Sequence, residues 1–162
     1  MPVHHYHTTT IWTGNLGKGT SEYKGYDRAH TVRLIGKPDI LGSSDAAFRG
    51  DKAKHTPEEL FVSSLSTCHM LWYLHLCSVN GVVVIDYVDH AGGVMEEDAK
   101  GSGRFTEVTL NPRVTVKEDG MIGKANELHH EAHKLCFIAN SVNFPVLHKP
   151  TAVTPLAEKI SR

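Results

Sequence analysis

The chain has 162 residues with 17 Lys and Arg against 18 Asp and Glu, a formal charge of -1, so it carries no electrostatic footprint for nucleic acid or for an anionic membrane. Its length suits one domain over residues 1–162, burying about two-thirds of the surface of the unfolded chain. Three cysteines are too few, and odd in number, for a secreted disulfide scaffold and fit a reducing compartment. No stretch approaches the ~20 apolar residues of a membrane span, and a soluble, cytoplasmic protein with a small-molecule partner is expected.

In chain order, His5–Trp12 is rich in threonine and aromatics and is expected as a strand, with Gly14–Gly19 as a hairpin connection. Thr20–Tyr26 and Thr31–Ile35 are expected as the next two strands. Residues 36–55 have no sustained period and are expected as a long loop, a feature that in compact domains is usually functional or mobile. At Thr56-Pro57-Glu58-Glu59 the helix-start signals converge: a threonine N-cap, proline at the first helical position and a glutamate three residues after the cap. The helix should run to about Asn80 and stop at Gly81. Its apolar residues, from Leu60 to Val79, leave almost no polar face, which marks a helix enclosed on every side. One small domain can hardly wrap such a helix, so a homodimer is expected. Val82–His90 and Arg104–Lys117 are expected as strands, with a glycine-rich turn or open hairpin between them. Ile122 to about Phe137 repeats apolar residues at helical spacing, Pro145 and Pro150 bracket a loop, and Thr151–Leu156 is expected as a closing edge strand. The fold class is therefore α+β.

Cys68 and Cys136 each lie in an apolar helical stretch. A buried cysteine is most often a small hydrophobe, and Cys77 reads that way. Cys68 differs because the polar run Ser63-Ser64-Leu65-Ser66-Thr67 breaks the apolar coat just before it. A thiol reacts as its thiolate, which needs a nearby cation or positive dipole end. Glu58 lies ten residues earlier, about 15 Å along a straight helix. Either the helix kinks near Ser63–Ser66 or Glu58 serves a thiol across a dimer interface. A carboxylate beside a thiolate would disfavour it, so the sensible role of Glu58 is to hold an arginine by a bidentate contact. Arg49, at the end of the long loop, is the best-placed arginine, with Arg28 and Arg33 as alternatives.

The segments Thr56-Pro57-Glu58-Glu59-Leu60-Phe61 and Ser66-Thr67-Cys68-His69-Met70, with His133-Lys134-Leu135-Cys136 and Ser141-Val142-Asn143-Phe144-Pro145-Val146, resemble the OsmC/Ohr family of osmotically induced proteins and organic hydroperoxide reductases. The resemblance covers nearly the whole chain. It implies an OsmC-like fold in an intertwined homodimer with two interface sites. Cys68 would be the peroxidatic cysteine, Cys136 the resolving cysteine, and Glu58 the carboxylate that orients an essential arginine. Matching Arg49 to that arginine takes a one-residue gap before Thr56.

As chemistry, the Cys68 thiolate would attack an organic hydroperoxide, and Cys136 would close a disulfide on the resulting sulfenic acid. An external dithiol, small or protein-bound, would restore the thiols, and no resident cofactor or metal is required. Phe61, Leu65 and Trp72 are expected to favour an apolar substrate tail. A competing reading is a non-catalytic dimer that holds a small apolar ligand at its interface. A third rests on His129-His130-Glu131-Ala132-His133, where His129 and His133 at i, i+4 share a helix face as metal ligands do.

Overall fold

The computed structural model describes residues 1–155, and the chain divides into two compact units, Met1–Phe61 and a second beginning at Val62. The architecture is mixed α+β, as expected. The Leu156 end of the expected last strand lies outside the described residues.

In the first unit, β1 (Thr9–Trp12), β2 (His30–Arg33) and β3 (Ile40–Gly42) form an antiparallel sheet in that order, with Thr9 opposite Arg33 and Trp12 opposite His30. The strand expected over Thr20–Tyr26 is absent. That segment is curled around Arg28, whose guanidinium donates to the carbonyls of Tyr26 (2.6 Å) and Tyr23 (2.9 Å). The guanidinium also lies 4.1 and 4.6 Å from the two tyrosine ring centroids. Such carbonyls, tied to one side chain, are not free for a ladder. The expected long loop is also more ordered than its sequence indicates, because it contains β3 and a single 3-10 turn over Ala46–Phe48.

Helix α1 (Pro57–Val79) begins in the first unit and continues into the second. Its start is a reciprocal capping box: Glu59 N–H donates to Thr56 Oγ1 (3.2 Å), and Thr56 N–H donates to Glu59 Oε2 (2.9 Å). At its end the chain reverses through Gly81, whose φ of 71° belongs to the left-handed region that favours glycine.

In the second unit, β4 (Val84–Asp89), β5 (Gly92–Glu97), β6 (Gly103–Leu110), β7 (Pro112–Val116), α2 (Ile122–Leu135), β8 (Val146–His148) and β9 (Thr151–Val153) follow. They form two three-stranded sheets, β4-β7-β9 and β5-β6-β8, which β8 and β9 join in parallel. The single strand expected over Arg104–Lys117 is therefore two strands in different sheets. The break falls at Asn111-Pro112, where proline offers no N–H and Asn111 N–H is drawn off to Asp89 Oδ1 (2.7 Å). Strand β8 replaces part of the loop expected between Pro145 and Pro150.

The core of this unit gathers Tyr73, Cys77, Val82, Val114, Val116, Ala125, Leu128 and Ala132. On α1 the fully buried positions recur every four residues: Leu65, His69, Tyr73 and Cys77. Leu71 and Val79 remain 64% exposed, so one chain leaves apolar surface of this helix uncovered. Among the described residues no helix is long and apolar enough to cross a membrane.

Candidate active site

Cys68 is half-buried on α1, while Cys136 is buried at the C-terminal end of α2, and both are free thiols. The fold brings them together closely enough that the Cys68 thiol is one of the groups that raise the pKa of Cys136. Cys136 is held by its own turn: its Sγ accepts from Ala139 N–H (3.4 Å), and its carbonyl accepts from Asn140 N–H (3.0 Å). Burial, with the neighbouring thiol adding to it, raises the Cys136 pKa. The proton stays on Cys136, and of the two thiols Cys68 is the more exposed.

Aromatic side chains flank both thiols. Trp72, one helical turn after Cys68, meets Phe137, the residue after Cys136, edge to face at 5.6 Å between centroids, and meets His75 at 5.8 Å. Phe137 is 69% exposed. Leu65 is fully enclosed. The polar run ahead of Cys68 has found partners: Thr67 Oγ1 donates back to the Ser63 carbonyl (2.8 Å), and Ser66 Oγ donates to Asp89 Oδ2 (2.5 Å). Asp89 thereby ties α1 to the Asn111 break between β6 and β7. Neither hydroxyl interrupts the helix, which is continuous through Ser63–Ser66.

Glu58 and Arg49 belong to the first unit with Phe61. Glu58 Oε2 is buried without a hydrogen-bond partner among the described residues. A buried acceptor in that condition costs about 1–3 kcal/mol, and more when charged, so it calls for a donor. Arg49 caps the Ala46–Phe48 turn in the left-handed region at φ 65°, the only non-glycine residue there among those described. Asp45 Oδ1 opens this turn by accepting from Ala47 N–H (2.7 Å), and the Asp45 carbonyl accepts from Phe48 and Gly50 N–H (both 2.9 Å). The turn thus presents an exposed guanidinium, with Tyr23's ring centroid 6.0 Å away. The alternatives are engaged elsewhere: Arg28 is stacked between Tyr23 and Tyr26, and Arg33 pairs with Asp39 at 2.9 Å.

The histidines are arranged differently from the expected metal motif. His129 does not share an open face with His133 but is fully buried, with its Nδ1 3.0 Å from His69 Nε2. Its ring stacks on Tyr73 at 3.8 Å. His133 instead packs on His148 of β8 at 5.3 Å. Among the described residues no group of three His, Cys, Asp or Glu is arranged to hold a metal ion. Burial first, and neighbouring histidines second, lower the pKa of His69 to about 4 and of His129 to about 3. Sequence reasoning missed this pair, since its partners are 60 residues apart in sequence and His148 fell in an expected loop. The one available signal was the four-residue spacing of His69 with Leu65 and Tyr73.

Comparison with known proteins fits this geometry. A family described as OsmC-like protein matches residues 50–149. An OsmC-like protein of unknown function from Vibrio cholerae is 30% identical, covers 91% of this chain and 99% of its own, and superposes with a TM-score of 0.82. Two more distant structures share the fold. The organic hydroperoxide resistance protein OsmC of Legionella pneumophila is 15% identical with TM-score 0.68, covering 94% of this chain and 98% of its own. An organic hydroperoxide resistance protein of Elizabethkingia anophelis is 18% identical with TM-score 0.65, covering 93% and 98%. A search of curated proteins finds no match. With the family match spanning more than half of its residues, and the Vibrio cholerae relative nearly all of them, this chain belongs to the OsmC-like protein family.

Proposed function

We propose that this protein is a thiol-dependent peroxidase that reduces organic hydroperoxides to alcohols. The observation that carries the reading is the proximity of two free thiols from distant parts of the sequence, one half-exposed and one buried, with Cys68 close enough to raise the pKa of Cys136. Cys68 sulfur attacks the distal peroxide oxygen. The O–O bond breaks, the alkoxide leaves and takes up a proton as the alcohol, and Cys68 becomes a sulfenic acid. Cys136 sulfur then attacks Cys68 sulfur; the S–O bond breaks, water leaves with the Cys136 proton, and a disulfide forms. An external dithiol returns both thiols and is itself oxidised to its disulfide.

Arg49 supplies the cation that favours the Cys68 thiolate and stabilises charge on the leaving oxygen. The unpartnered Glu58 oxygen supports a role in holding that guanidinium. With α1 helical without a break over the ten residues between them, Glu58 serves Cys68 of a second subunit, in a homodimer that also covers Leu71 and Val79. Trp72 and the exposed Phe137 offer apolar surface to a substrate tail, whereas the expected Leu65 is fully enclosed and packs inside; burying such a tail contributes about 25 cal/mol per Å², a gain that hydrogen peroxide lacks.

A dithiol-coupled assay tests this. Turnover should be faster with an alkyl hydroperoxide than with hydrogen peroxide and should vanish in Cys68→Ser. Equal rates would remove the substrate preference, and full activity in Cys68→Ser would remove the mechanism.

A further inference from the structure

A graded column of histidines joins α1, α2 and β8. His130 on α2 is exposed, His133 on α2 and His148 on β8 are half-buried, and His69 on α1 and His129 on α2 are fully buried. Their rings are in sequence: His130 to His148 at 6.4 Å, His133 to His148 at 5.3 Å, His148 to His69 at 5.8 Å, and His69 to His129 at 5.3 Å, nearly coplanar at 7°. The innermost pair joins two helices at a telling place. His69 follows Cys68 in α1, and His129 lies two turns before Cys136, where α2 ends.

Resting on the reading of Cys68 and Cys136 as a redox pair, we propose that the His69–His129 contact is a proton-sensitive latch that positions these thiols. With both imidazoles neutral, one ring nitrogen donates to the other and α2 is held against α1. Further protons are disfavoured in two stages. The first would go to an outer nitrogen, His69 Nδ1 or His129 Nε2, which is buried without a partner; the second would make both facing nitrogens N–H donors, set against each other at the 3.0 Å contact.

The surroundings supply no compensating acid. From α1 the pair meets Tyr73, with Cys77 beyond it; from β4, Tyr87, with Asp89 beyond; from α2, His130 and His133; and from β8, His148. Both tyrosines are pushed above the usual phenol range, by burial first, and stay neutral. Asp89 is engaged by Ser66 and Asn111. Glu131 pairs with Lys134 and, of the histidines, interacts with the exposed His130. Positive charge on His148 or His133 adds repulsion to the inner pair. Acid therefore opens the contact, and α2 carries Cys136 away from Cys68. His69 and His129 are positioning residues, which act on the sulfurs through the helices.

The test needs no peroxide. In Cys68→Ser, the rate at which 4,4′-dithiodipyridine modifies Cys136 is measured from pH 7.5 to pH 4.5 and normalised to the urea-unfolded chain. Protection should hold at neutral pH and fall about tenfold per pH unit below 6.5 for each proton taken up. The same profile is measured with His69→Gln and His129→Asn added, which keep a hydrogen-bonding atom in place of each ring nitrogen and cannot titrate. It should be flat. Should that variant fail to fold, imidazole NMR of the unaltered chain decides. The inner rings should remain neutral until Cys136 becomes reactive, and take up protons together with it. Protection of Cys136 that persists to pH 4.5, or protonation of the inner pair while Cys136 stays covered, would overturn the latch. A pH-gated Cys136 in a protein without peroxide turnover would leave the latch standing and remove only the peroxidase reading.

Discussion

At the scale of single residues, two sulfurs with unlike surroundings do complementary work. Cys136 is buried and keeps its proton; Cys68 is half-exposed and, in the proposed reaction, carries the attack. The weight of the electrostatic argument falls on Arg49, whose left-handed backbone and preceding Asp45 turn present the guanidinium from a fixed loop. Removing one donor that stabilises developing charge commonly costs about 10²–10³ in kcat. Arg49→Ala should lose activity on that scale with unchanged urea stability, and Arg49→Lys should recover part of it as a point charge without the bidentate fork. Equal activity in Arg49→Ala and the unaltered protein would transfer the role to Arg28 or Arg33. The Gly50 that follows is fixed by space: a Cβ there would run into the Ser44 carbonyl oxygen.

At the scale of elements, α1 was legible from its sequence because several local signals agree. Thr56, Pro57 and Glu59 set its start, a long apolar run its body, and Gly81 its end. Thr56→Ala removes one half of the capping box and should destabilise the protein by about 1 kcal/mol, read as a lower urea midpoint at constant m-value. An unchanged midpoint would mean that the cap is replaced by water. The strands were less legible. The division of Arg104–Lys117 into β6 and β7 depends on Asp89 taking the Asn111 N–H, a contact across 22 residues that no local period encodes. β8 has three residues between two prolines, and only its parallel register with Val108–Leu110 makes it a strand. At Thr20–Tyr26, strand propensity in the tyrosines was overruled by one arginine that binds two of their carbonyls. In the site itself, both cysteines and Glu58 stood out by their helical context, whereas His69–His129 did not, because proximity in the fold rather than spacing defines it.

At the scale of the whole molecule, buried neutral histidines set an acid limit on stability. His69 and His129 ionise at about 4 and about 3 when folded, against 6.5 for an unperturbed imidazole. Below pH 6.5 the unfolded chain binds protons that the folded chain refuses. Stability is therefore fully present above pH 6.5 and falls as the pH drops toward 4, by about 1.4 kcal/mol per pH unit for each imidazole. Urea midpoints from pH 7.5 to pH 4.5 should show that decline, and the neutral His69→Gln, His129→Asn variant should show less of it. A pH-independent midpoint would contradict the neutral, enclosed pair. The innermost pair of this column joins the two helices that carry Cys68 and Cys136.

The most direct measurement of the central claim is intact and peptide mass spectrometry after one equivalent of an alkyl hydroperoxide is added to the fully reduced protein. The account predicts loss of two hydrogens per chain and a single new cross-link between the peptides carrying Cys68 and Cys136, with Cys77 still a thiol. Two unmodified thiols at those positions, or a cross-link that joins Cys77 instead, would contradict it.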